Sequence, residues 1–238
     1  MEAFRAKQKE GNLVGSIFKE IGEAIKDMPP TMKQLAIVQF FTWFALPCMW
    51  QFYGLSVAKG VFGAIDEKAT PELFKAGTEW GGLMFAFYNV VCFLIAFVIP
   101  WLAEKTSRKT VHFICLALGG FGLISTAFAT DRYLLMLGMA GLGIAWASIL
   151  AMPYVILAGA IKPERMGVYM GVFNLFIVIP QVVMSFLIPQ IYDGLLGGKP
   201  INVVILGGIS MLIAAATVFI VKDVGAAKIE GAAAGGGH

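Results

Sequence analysis

Charged residues are so unevenly placed in this sequence that six long runs contain no Asp, Glu, Lys or Arg at all: 35–57, 80–102, 111–129, 133–161, 166–191 and 201–221. Each reaches or nearly reaches the roughly 20 residues a helix needs to cross a hydrocarbon layer about 30 Å thick. The apolar positions do not alternate with polar ones, as they would in strands closing into a barrel, so the pattern predicts six transmembrane helices. The expected fold is an all-α membrane protein, a six-helix transmembrane bundle.

Ahead of the first run the pattern changes. Val14, Ile17, Phe18, Ile21, Ala24, Ile25 and Met28 recur at steps of three and four, with Lys19, Glu20, Glu23 and Lys26 between them. That spacing predicts an amphipathic helix, lying on the membrane surface or under the bundle and ended by Pro29-Pro30. The longest connection, residues 59–79, has room for one short surface helix, and the tail 225–238 is rich in Ala and Gly and has nothing to bury. The chain is therefore divided into 1–33, a segment with the amphipathic helix; 34–224, the bundle; and 225–238, a disordered tail.

Composition agrees with this pattern. Of 238 residues, 58% are hydrophobic and only 14% charged, more apolar surface than one water-soluble core can bury. Sorting the basic residues by loop fixes an orientation, because thirteen of the eighteen fall in residues 1–34, around Lys105, in 162–165 and after the last run. Lys and Arg accumulate on the inner side, so both termini are expected to be cytoplasmic. Cys48, Cys92 and Cys115 lie inside spans without metal-ligand or redox spacing, and there is no His-Glu-x-x-His, nucleophile elbow or phosphate loop. Enzyme chemistry, a metal, a cofactor and a nucleic-acid partner are therefore not expected.

Polar side chains inside spans are costly in lipid and should face protein or a wet cavity. Gln39, Trp43 and Trp50 share one face of the first span, with Gln51 and Tyr53 nearby and Pro47 between. Amides that donate and accept, beside flat indoles, suit a polyhydroxylated ring, whose hydroxyls need hydrogen bonds and whose C–H faces pack on aromatics. Trp50 and Tyr53 also suit an interfacial aromatic belt. Asn174, Gln181 and Ser185 align in the fifth span, where Gly167 and Gly171 form a small-xxx-small pair. Asn89, Trp146, Ser148, Pro153 and Tyr154 complete the polar and aromatic set. Glycines 119, 120, 122, 138, 141 and 143 mark close approach of the third and fourth spans. Two inner loops carry acids beside bases, Glu104 with Arg108 and Glu164 with Arg165, which either lock helices at an inner gate or only fix topology.

The run Gln39-Phe40-Phe41-Thr42-Trp43-Phe44-Ala45, followed by Met49-Trp50-Gln51-Phe52-Tyr53, resembles the seventh helix of sucrose and maltose type proton symporters, the glycoside branch of the major facilitator superfamily. Residues 102–109 resemble that group's loop between helices eight and nine, 143–154 its tenth helix, and 164–174 the start of its eleventh. The likeness runs from about residue 17 to 224. It implies a twelve-helix transporter whose six-helix halves, each a 3 + 3 inverted repeat, rock about a central sugar site, and this chain matches the second half and the central loop before it. No span carries an acid, which accords with the group's proton-coupling carboxylates residing in the first half. Carried over by position, Gln39, Trp43, Asn89, Trp146, Asn174 and Gln181 line the sugar path, while Arg108, Glu164 and Arg165 belong to the inner gate; Trp50, Gln51 and Glu104 join them from the residue reading alone.

The implied activity is proton-coupled sugar transport, with an N-terminal six-helix half or a second copy of the chain as partner, in the cell (inner) membrane, the resemblance being closest to bacterial members. Two alternatives stand beside a half paired with its complement: a homodimeric half-transporter, and a membrane sensor or interaction subunit that binds sugar without moving it.

Overall fold

A computed structural model describes residues 13–224 of the chain. Its elements are α1 (Leu13–Lys26), α2 (Pro30–Gly60), α3 (Pro71–Ala96), α4 (Ile99–Lys105), α5 (Arg108–Ser125), α6 (Leu134–Ala160), α7 (Met166–Ile191) and α8 (Pro200–Thr217), with short 3-10 turns after α5 and α8 and before α7. Six of these helices, α2, α3 and α5 to α8, are long and apolar enough to cross a bilayer. The chain is an all-α, multi-pass membrane protein, and no strand occurs among the described residues.

Proline sets several of the boundaries. Pro30, Pro71 and Pro200 each sit in the first turn of their helix, where the absent N–H would have no partner anyway. The loop after α2 holds no surface helix of its own: Asp66 caps a turn by accepting from the backbone N–H of Lys68 and Ala69, and α3 then starts at Pro71, so residues 71–79 are the outer extension of a membrane helix. The second apolar run is one span in sequence but two helices in space. Pro100 cannot donate to the carbonyl of Ala96, so α3 stops there, Phe97 and Val98 turn, and α4 sets off anew.

Packing is densest where side chains are smallest. Helices α2, α3, α6, α5 and α8 close into a ring of neighbours, while α7 rides mainly on α2 and receives α1. Gly122 and Gly138 meet backbone to backbone, and Gly141 lies against the carbonyl of Leu118, which brings α5 onto α6. Without a strong hydrophobic force between helices in lipid, such close approach supplies the van der Waals contact that holds them together. Gly120 faces Gly208 on α8 and Gly143 faces Tyr88 on α3, so the glycines expected at one interface serve three. Gly167 and Gly171 make no such contact: both are exposed, with open space where a Cβ would stand.

An even number of crossings returns the chain to the end where it started. The Thr31 hydroxyl donates to the carbonyl of Lys222 at 2.9 Å, and the Lys222 N–H donates to Gln34 Oε1 at 2.9 Å. At this end α1 is tied to α7, with Tyr169 donating its hydroxyl to the Asp27 carbonyl and Ala24 fully buried. The side chains of Val14, Ile17, Phe18, Glu20 and Ile21, and the tail 225–238, lie outside the described residues.

Gly122→Leu places a side chain against the Gly138 carbonyl and is expected to cost about 2 kcal/mol or more. Gly171→Ala, in open space, is expected to leave stability unchanged or slightly raised, because Ala favours helix. Thermal unfolding in detergent, followed by circular dichroism, checks both.

Candidate functional site

The tryptophans of α2 are held by a helix that is buried along most of its length. Trp43 is 8% exposed, Trp50 is half-buried, and Trp146 reaches them from α6. The three indoles form a closed triad of edge-to-face contacts. Ring centroids lie 6.5 Å apart for Trp43 and Trp50, 6.0 Å for Trp43 and Trp146, and 5.9 Å for Trp50 and Trp146, with interplanar angles of 62°, 75° and 90°. The arrangement satisfies each ring's quadrupole and presents both edges and faces.

One turn of α2 from Trp43, toward the end that carries α1, Gln39 is fully buried. Its Oε1 and Nε2 have no hydrogen-bond partner, and neither has the indole N–H of Trp43. Leaving such groups unmade in a dry interior costs about 1–3 kcal/mol each. Neighbouring hydroxyls show the alternative: Thr42 donates to the Val38 carbonyl at 2.8 Å and Ser210 of α8 donates to the Phe41 carbonyl at 2.8 Å. Gln39 and Trp43 thus hold one unpaired acceptor and two unpaired donor groups beside an aromatic cage. Tyr53, on the same helix, is fully buried as well.

The other sequence candidates are not part of this cluster. Gln51 is exposed. Asn89 is exposed on α3, with its amide donating back to the Phe85 carbonyl at 2.7 Å. Asn174 is exposed on α7, and the half-buried Gln181 donates to the Ile177 carbonyl at 2.9 Å. Both sit on the helix that shares its packing chiefly with α2, and Phe173, beside Asn174, meets Tyr154 edge to face with centroids 5.3 Å apart.

At the end that carries α1 the arginines find other partners than the acids beside them in sequence. Arg108 pairs with Asp223 at 3.5 Å, with both side chains largely buried, and Arg165 pairs with Asp27 at 3.5 Å while its guanidinium lies over the Tyr169 ring. Among the described residues no ion pair joins Glu104 or Glu164 to either arginine. Glu104 instead lines a cavity of about 500 Å³ between α4 and α6, together with Ser107 and Arg108. Asp27 and Asp223 are missing from the sequence reading, and so is His112, the lone imidazole within a charge-free run. At the opposite end the Arg132 guanidinium lies over the rings of Trp80 and Tyr133, which meet edge to face, and Trp80 donates its indole N–H to the Arg132 carbonyl.

No protein-family model matches the chain. It is 23% identical over 196 residues to the sucrose transport protein SUT5 of Oryza sativa subsp. indica, a match covering 71% of this chain and 36% of that protein. The counterpart from Oryza sativa subsp. japonica gives the same figures. The chain spans about a third of the length of the curated relatives it matches.

Three coupled indoles are expected to give an exciton couplet in circular dichroism, and Trp146→Phe is expected to abolish most of it; a spectrum unchanged by that substitution contradicts the triad. A double-mutant cycle on Arg108→Ala and Asp223→Ala is expected to show coupling of about 1 kcal/mol or more in detergent unfolding. A coupling near zero would mean that the pair only neutralises the helix ends.

Proposed function

We propose that this chain forms the C-terminal half of a secondary sugar transporter, and that Gln39, Trp43, Trp50 and Trp146 form its part of the sugar site. The observation that carries this reading is the conjunction of unpaired buried amide and indole groups with a tryptophan cage. A sugar hydroxyl supplies what the Gln39 amide and the Trp43 N–H lack, and a pyranose ring offers its C–H face to an indole. No Asp, Glu, Lys or Arg lies in the charge-free runs that hold these residues, which favours a neutral ligand. The distant likeness to sucrose transport proteins supports a disaccharide or related glycoside as that ligand.

Alternating access requires a second bundle for this one to rock against, and α3 and α7 are its natural contacts, since they bury the smallest shares of their apolar length, 22% and 28%. Asn89, Asn174 and Gln181 stand on these two helices and would line the shared path. The Arg108–Asp223 and Arg165–Asp27 pairs belong to the inner gate in this reading, Glu104 and Glu164 flank it, and the end that carries α1 is cytoplasmic. Coupling is to protons.

Vesicles containing this chain together with a complementary six-helix half are expected to take up labelled sucrose or a related glycoside. Gln39→Ala and Trp146→Ala are each expected to weaken sugar affinity about tenfold, the effect of losing roughly 1.4 kcal/mol. Uptake by the chain alone would favour a homodimer, and saturable binding without flux a sensor. Uptake that is indifferent to this chain and to both substitutions would overturn the proposal.

A further inference from the structure

The fourth and fifth membrane crossings of the chain, α6 and α7, contain no imidazole, acid or basic residue, but α5 carries one buried imidazole that the sugar site does not use. His112 is fully buried, and its Nδ1 lies 2.8 Å from the hydroxyl oxygen of Ser148 on α6. The other ring nitrogen, Nε2, is buried and has no partner. Ser148 is itself fully buried, two residues from Trp146 of the indole triad. The pair therefore joins α5 to the part of α6 that carries the proposed sugar contact.

The imidazole stands behind the wall of the cavity between α4 and α6. Arg108, one helical turn before His112, lines that cavity, and so do Ala147, Ala151 and Met152 around Ser148. Apolar side chains that close the region, Cys92, Ile99, Val111, Cys115, Ala147 and Met152, pack as one cluster across α3, α4, α5 and α6. Val111 and Cys115, which flank His112 on α5, belong to this cluster. The hinge at residues 97 and 98 allows α4 to move apart from α3 at this point.

We propose that His112 is a proton-binding site of this half, loaded through the cavity between α4 and α6 when that cluster opens. With the neutral ring carrying its hydrogen on Nδ1, directed at Ser148 Oγ, the lone pair on Nε2 is free to take a proton from cavity water. The resulting imidazolium keeps the Ser148 bond and needs a second acceptor, which the closed apolar cluster does not supply. Water admitted by the parting of α4 from α6 does supply it. Proton binding thus favours the open arrangement, and closure returns the proton to the cavity, with Ser148 passing the change to α6 and Trp146. The inference rests on the reading of the chain as half of a coupled sugar transporter, yet it is testable without sugar.

The groups facing this region are few. On α5 they are Arg108, Lys109 and Cys115; on α3, Tyr88 and Cys92; on α4, Glu104 and Lys105; on α6, Tyr154 alone; and α8 offers none. Beyond α8, Asp223 is held by Arg108, and Lys109 donates to the Phe219 carbonyl. Among the described residues no carboxylate is within ion-pair distance of His112, so a charged ring here depends on water admitted to the cavity.

The experiment uses the full chain in detergent or nanodiscs, with Cys115 alkylation by a small maleimide read by peptide mass spectrometry, and His112→Gln as the reference at each pH. Because thiolate content falls with acid in both proteins, the readout is their ratio. On acidification from about pH 8 to about pH 5 the wild-type rate relative to His112→Gln is expected to rise about threefold or more. A flat ratio overturns the proposal. If His112→Gln does not fold, ¹⁵N-histidine spectra of a His238→Gln chain, in which His112 is the only imidazole, decide instead: conversion to the doubly protonated pattern over that range is expected, and a neutral imidazole throughout overturns the proposal. Failure here with sugar uptake intact leaves the transporter reading standing, whereas a titrating His112 in a chain that never supports uptake removes that reading alone.

Discussion

Hydrocarbon offers no hydrogen bonds, and nearly every feature of this bundle follows from that. Backbone groups are satisfied inside helices, side-chain hydroxyls turn back onto carbonyls a turn below, as Thr42 and Ser56 do, and the charged groups are confined to the two ends. Against this background an unpaired polar atom in the interior stands out, because nothing in the surrounding medium can relieve it. Gln39, Trp43 and His112 are such cases, and each sits on or beside the helices α2 and α6 that meet at the tryptophan triad. A single constraint thus separates groups that hold the structure together from buried groups left without a partner.

The same constraint explains how the helices are held. Small residues bring α5 against α6 and α8, and α2 binds α3 and α8, which gives a ring with few degrees of freedom. Helix α7 is different, resting mainly on α2 and receiving α1 through Arg165, Tyr169 and Asp27. The segment α4, cut from α3 by Pro100, is the other loosely attached piece. The ring thus forms the body of the bundle, with α7 and α4 attached at its edge.

How much of this was legible in the sequence depends on which physics wrote it. The charge-free runs located all six spans, since a charge in lipid is expensive, but α3 begins nine residues before its run because Glu72, Lys75 and Glu79 ride on its outer extension. The break at residues 97 and 98 was hidden in an apolar run, although Pro100 was visible, because hydropathy is blind to backbone geometry. Gly167 and Gly171 carried a packing motif on a face that nothing approaches, as spacing cannot say which face is covered. Arg108 and Arg165 were seen, but their partners were not: Asp223 and Asp27 lie far away in sequence, and only the return of the chain to its starting end brings them close. Trp43 and Trp50 were readable as one face, whereas Trp146 joined them through tertiary packing. His112 was overlooked because its neighbours are apolar and no motif surrounds it.

The central claim is that the amide of Gln39 and the three indoles face a sugar. Its most direct test is photolabelling of the chain, assembled with a complementary half, by a glycoside bearing a diazirine, followed by peptide mass spectrometry. The expected result is label on the α2 and α6 peptides that contain Gln39, Trp43 and Trp146, removed by excess unlabelled sugar. Label that falls on lipid-facing stretches of the other helices, or that unlabelled sugar fails to displace, would contradict the account.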